Sequence, residues 1–136
     1  MKYTKVIALV LTLLPVLAAA QLNGNSKVAA NVPFEFVVGN TTIPAGTCLV
    51  QRSPVGDNLL IQNLQAKVGS FAYPQWQNLT NTDSYSLVFN EYGDHHFLAA
   101  VIANGTVYRL PESKREKEVR ARNLPAHEQT LQASLR

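Results

Sequence analysis

The densest group of side chains able to do chemistry is Asp94-His95-His96, with His127 farther along the chain. Imidazole and carboxylate groups hold zinc or copper, or move protons. A metal needs its ligands on one side of an element, at i, i+2 on a strand or i, i+4 on a helix. His95 and His96 are adjacent and point to opposite faces of any strand. The trio therefore reads as the flank of a hairpin, and no metal, cofactor or catalytic residue is assigned. A set drawn from Ser86, His95 and Asp57 has no nucleophile motif around it, which leaves a small hydrolase using the Asp94–His96 hairpin as the second alternative. Glycines fall in turn contexts, and no phosphate-cradling loop is present.

Two further groups could recognise a ligand. Tyr73, Trp76 and Tyr92 fall in or beside expected loops, where a ring either stacks on a sugar or peptide or closes the end of a core with its polar tip wet. Lys114, Arg115, Arg120 and Arg122 interleave with glutamates. That is the pattern of a solvated helix, and equally of one that docks on an acidic partner. These seven residues form the candidate ligand or partner surface. Cys48 is the sole cysteine; set in an apolar strand, it reads as a small buried hydrophobe.

The elements that position these groups are mostly strands. Val32, Phe34, Phe36 and Val38 alternate with Pro33 and Glu35 as one strand with a buried face, bulged or at an edge because Pro33 cannot donate to a ladder. Gly39-Asn40 and Pro44-Ala45-Gly46 turn the chain, and strands are expected over 47–52, 58–63 and 67–73. Residues 74–83 read as a surface loop. Tyr85, Leu87 and Phe89 begin another strand, Glu91–Asp94 reverses it, and 95–102 is apolar enough to be central and covered on both faces. Asn104-Gly105 is the strongest hairpin signal, a type I′ turn that places Ala103 opposite Thr106 and Val101 opposite Tyr108. Ser113 to Glu116 is a capping box, so 112–122 should be helical, with Glu116/Arg120 and Glu118/Arg122 paired at i, i+4. Ala126 to Leu135 reads as a second, weaker helix with Leu131 and Leu135 on one side. The fold expected is mainly β, an antiparallel sandwich or small barrel of seven or eight short strands with a charged helical segment at the C-terminal end.

Lys2 and Lys5, an apolar run to Leu17 and then Ala18-Ala19-Ala20 form a signal-peptide pattern cleaved after Ala20. The run is short for a bilayer span, so no stable membrane insertion is expected after cleavage. The division is 1–20 signal peptide, 21–27 flexible leader, 28–110 β domain and 111–136 charged helical tail. The formal charge of +3 falls to +1 once the two leader lysines depart. Residues 21–108 hold three basic and five acidic side chains, and 109–136 seven and four. A near-neutral body argues against nucleic-acid binding, which needs clustered basic side chains.

Val32–Gly39, Ile43–Thr47, Leu87–Asp94 and Leu110–Lys114 together resemble a family of small, uncharacterised exported bacterial proteins of acidobacterial type. The resemblance covers most of the chain after residue 20, and its motifs are strand and turn residues. Members often carry an aromatic at the position of Cys48, which tells against a required thiol. The reading that follows is an exported, non-enzymatic β-domain, periplasmic or extracellular, with a binding or structural role. Its expected partner is another exported or envelope protein, met through the sheet edge or the C-terminal helix. The first alternative is a small-ligand carrier with its site in a barrel interior.

Overall fold

A computed structural model describes residues 27–53, 56–78, 84–122 and 124–135. The expected signal peptide, residues 21–26 of the leader, and parts of the 53–57 and 74–83 loops lie outside the described residues. The strands are β1 (Lys27–Val32), β2 (Phe36–Val38), β3 (Thr41–Ile43), β4 (Gly46–Arg52), β5 (Leu59–Asn63) and β6 (Val68–Ala72). They continue as β7 (Gln75–Asn78), β8 (Tyr85–Tyr92), β9 (His95–Ala103), β10 (Thr106–Arg109) and β11 (Ala126–Leu135); among the described residues one helix, α1 (Lys114–Ala121), precedes the last strand.

All eleven strands join one sheet in the order β3-β2-β9-β8-β11-β1-β4-β5-β6, with β10 beside β9 and β7 beyond β10. Pairing is antiparallel except for β2 on β9, parallel at Val37 and Phe97. The sheet curls until its ends, β3 and β6, touch without a ladder between them, a nearly closed barrel. Inside it lie Phe36, Phe89, Ile43, Ile61 and Leu87, all fully buried. Phe34 and Phe36 meet Phe89 edge-on at 5.0 and 5.1 Å between centroids, the geometry ring quadrupoles favour.

The Asn104-Gly105 turn has positive φ at both residues, 48° and 77°, and the expected register across it. At the other end of β9, Tyr92 pairs with His95. That register turns Phe97 to the outer face with Tyr92 and turns Leu98 inward. A bulge opposite Val88 and Phe89 then inserts Ala99, so Val101 and Ala103 return to the inner face. The strand lies between β8 on one side and β2 and β10 on the other.

Three expectations are corrected. Residues 32–38 are not one strand: the chain leaves β1 at Val32, breaks at Pro33–Glu35 and enters β2 beside β9, because Pro33 has no N–H to continue the ladder. Val32, Phe36 and Val38 are nonetheless all buried, with Phe34 packed against them. Gln75–Asn78, assigned to a loop, is a strand paired with β10; all four side chains are exposed, so burial left no alternation to read. Ala126–Leu135 is a strand, not a helix. It pairs with β8 from Ala126 to Ala133 and with β1 at Ser134 and Leu135. Its inward residues are Gln129, Leu131 and Ala133, a period of two that the Leu131/Leu135 spacing mimics as a helical stripe. The tail beyond 111 is thus a short helix followed by an integral strand, and β1 already begins at Lys27.

Two polar devices pin the loops. Asn63 is buried at the end of β5; its Nδ2 donates to Pro44 and Ala45 carbonyls at 3.1 and 3.2 Å, and its Oδ1 accepts from Ala66 N–H at 3.1 Å. It ties the β3–β4 turn to the β5–β6 turn. Gly46 lies against it at φ 141°, where a Cβ would meet Asn63 Nδ2 at 3.0 Å. On the outer face α1 lays Val119 onto Val37, Tyr92 and Phe97. Ser113 caps it, accepting from Glu116 N–H at 3.1 Å.

Candidate functional site

At one end of the barrel the inner faces of the strands run out before the interior is filled. Val28 of β1, Val50 of β4 and Leu59 of β5 face Val101 and Ala103 of β9 across a hollow of about 150 Å3, rimmed by Tyr85, Tyr108, Gln51, Arg52 and Asn104. Strand alternation explains the lining: Val28 pairs with Val50 and Arg52 with Leu59, so these side chains share the inner face.

The second half of the site comes from β7 and β10. Trp76 pairs with Tyr108, Tyr108 with Val101, Val101 with Leu87, and Leu87 with Leu131. Directly paired residues project to the same side, so Trp76 ends a row whose inner members form the core. The ladder continues past the barrel wall, and Trp76, on the core side of the sheet, is left 58% exposed. Asn78 pairs with Thr106 one step along the same face. Trp76, Asn78, Thr106 and Tyr108 enclose, with Arg52 and Asp57 opposite, a second hollow of about 270 Å3. Arg52 and Tyr108 line both hollows, and Arg52 Nη2 lies 3.6 Å from Asp57 Oδ1.

The other predicted residues are scattered. Tyr73 is exposed after β6, beside exposed Phe71, along the edge of the sheet. Tyr92, a ring expected either to stack on a ligand or to close the end of a core, is 6% exposed beneath α1, and its hydroxyl donates to Glu116 at 2.9 Å. That removes it from the ligand surface. Burial first, then the hydrogen bond and charge of Glu116, push its phenol up to about 12. Glu116 is itself 5% exposed, accepting also from Asn90 Nδ2 at 3.0 Å. It therefore does not form the expected pair with Arg120, which bonds Glu112 at 2.9 Å instead. Arg115 donates to Thr42 Oγ1 at 3.2 Å, and Lys114 and Arg122 are exposed. The four cations do not converge on one face: Arg115 reaches β3, while Arg120 turns back along its own helix.

His95 and His96 do separate to opposite faces. His96 stacks on Phe34, centroids 3.8 Å apart and nearly parallel, with Nε2 3.6 Å from Glu91 Oε1. His127, on β11, pairs with Glu91 of β8 and is exposed. Among the described residues no group of three His, Cys, Asp or Glu side chains is placed to hold a metal. The Ser86, His95 and Asp57 set is not assembled, since Ser86 pairs with Ile102 while His95 is seven residues away on β9, roughly 23 Å along a strand. Cys48 is buried, and burial pushes its thiol up to about 12.

The mouth was only partly visible in the sequence. Trp76 was singled out, and Asp57 only as a member of the unassembled Ser86, His95 and Asp57 set, but Arg52, Asn78, Thr106, Tyr85 and Tyr108 were not. For Tyr108 a signal existed: the Asn104-Gly105 register sets it opposite Val101. No family model, curated protein or solved structure matches the chain.

Proposed function

We propose that the protein is an exported, non-catalytic binding protein that carries a small ligand in the open end of its barrel. The observation that carries this reading is the 150 Å3 hollow between Val28, Val50, Leu59, Val101 and Ala103. A hollow of this size, with apolar walls and a polar rim, suits a group about as large as benzene. Tyr85 and Tyr108 at the rim give an entering molecule both ring surface and hydroxyl contacts. Export is supported by Lys2, Lys5, the apolar run and the Ala18–Ala20 cleavage pattern. On this reading the basic residues of α1 are structural and solvating, since Arg115 and Arg120 are engaged within the chain.

The test is a titration of the 15N-labelled protein with benzene. Amides of Val28, Val50 and Val101 should shift in the unaltered protein and stay put in Ala103→Phe, whose ring fills the hollow. Shifts elsewhere, or equal shifts in both proteins, would refute the reading.

A further inference from the structure

The larger hollow beside the apolar one has a different chemistry. Its wall holds one exposed indole, Trp76, with Asn78 and Thr106 on the same sheet face and the Arg52–Asp57 pair opposite. A single exposed aromatic on an outer surface needs no explanation. Trp76 stands instead on the core side of its sheet, in register with Tyr108 and uncovered because β7 projects past the barrel wall. Its ring is a platform facing a recess of about 270 Å3, the space of about nine waters.

The charge in that recess selects among occupants. Among the described residues lining it, Arg52 is the one cation and Asp57 the one anion, 3.6 Å apart. The two charges offset each other, so the pair itself favours neither an anionic nor a cationic ligand. What it does present is donors and acceptors in close alternation: the guanidinium donates, the carboxylate accepts, and Asn78, Thr106 and Tyr108 do both. Adjacent donors and acceptors around a flat apolar ring suit a molecule with an apolar face and hydroxyls around its edge. A pyranose has that form, its axial C–H groups lying on the indole and its hydroxyls bonding the rim.

We infer that the Trp76–Arg52–Asp57 recess binds the sugar ring of a neutral saccharide or glycoside. This rests on the carrier reading above: the apolar hollow beyond Tyr108 takes a hydrophobic substituent on the same ligand, and the two hollows meet at Arg52 and Tyr108.

Trp76 is the only tryptophan of the chain, so its emission reports directly on the recess. The experiment titrates the full chain with methyl glucoside, galactoside, mannoside and N-acetylglucosaminide in both anomers, followed by fluorescence and saturation-transfer NMR. Sodium benzoate and benzene are run alongside. At least one glycoside should change Trp76 emission with millimolar affinity, and Trp76→Ala should weaken it about tenfold or more by NMR. Benzene binding should persist in that variant, which shows that it still folds. Benzene binding with no glycoside binding would overturn this inference and leave the carrier reading standing. Absence of both from the unaltered protein would remove both readings. Glycoside binding indifferent to Trp76→Ala, or benzoate binding tighter than every glycoside, would also overturn it.

Discussion

Replacing Glu116 by Ala should weaken the fold by about 3 kcal/mol, although the residue lies in a helix of mixed charge. Its carboxylate accepts from the buried Tyr92 hydroxyl at 2.9 Å and from Asn90 at 3.0 Å. A hydrogen bond to a charged group contributes about 1.5–3 kcal/mol, and a buried donor left without a partner costs about 1–3. Relief of the carboxylate's own desolvation offsets part of the loss. Glu116→Gln keeps one acceptor oxygen and should cost about 1 kcal/mol. Tyr92→Phe removes only the donor, about 1–2 kcal/mol, and the double variant should show coupling of about 1–2 kcal/mol. Urea unfolding followed by circular dichroism supplies all four values. Burial and Glu116 raise the Tyr92 phenol from 10.0 to about 12, so the folded state holds that proton more tightly than the unfolded chain. The associated stability is complete below pH 10 and is lost as pH rises through 12. Tyr92→Phe should flatten that alkaline decline. An alanine variant within 0.5 kcal/mol of the original, or an additive cycle, would refute the view that Glu116 fastens α1 to the sheet.

Two other outcomes follow from buried groups. Asn63→Ala frees the Pro44 and Ala45 carbonyls and the Ala66 N–H at once, and should cost about 2–3 kcal/mol; a change in urea midpoint worth less than 1 kcal/mol would show that water replaces the side chain. Cys48, raised by burial from 9.0 to about 12, should react with a disulfide reagent at pH 8 only as the chain opens, with labelling accelerated by urea in step with unfolding. Rapid modification in the absence of denaturant would place the thiol at the surface.

Apart from Gln75–Asn78, the strands between Thr47 and Tyr108 were legible because they bury apolar side chains and end at residues with turn chemistry, and Asn104-Gly105 even set its register. What escaped was decided by the sheet as a whole. Gln75–Asn78 gains backbone partners from β10 without burying a side chain, so no pattern marks it. Residues 126–135 carry inner-face side chains no more apolar than Gln129, Leu131 and Ala133; β8 and β1 on either side, not propensity, make them a strand. Glu116 looked like one of several solvated charges because nothing local announces that Tyr92 and Asn90 wait beneath it. The apolar hollow was equally invisible, as a space left between Val28, Leu59 and Val101 depends on how far the barrel closes.

The place of β11 bears on how the molecule comes together in time. Until residues 126–135 arrive, the outer edge of β8 and the free edge of β1 are two open ladders, and no wall joins the half of the sheet around β4 and β5 to the half around β9. The contact that seals them, Val28 with Leu135, spans nearly the whole described chain, so its loop entropy must be met before any gain from closure. Synthesis from the N-terminal end releases residues 27–122 before the sealing strand. In that interval two unpaired edges invite pairing with other chains. Closure of the sheet therefore waits on residues 126–135, which join its two halves.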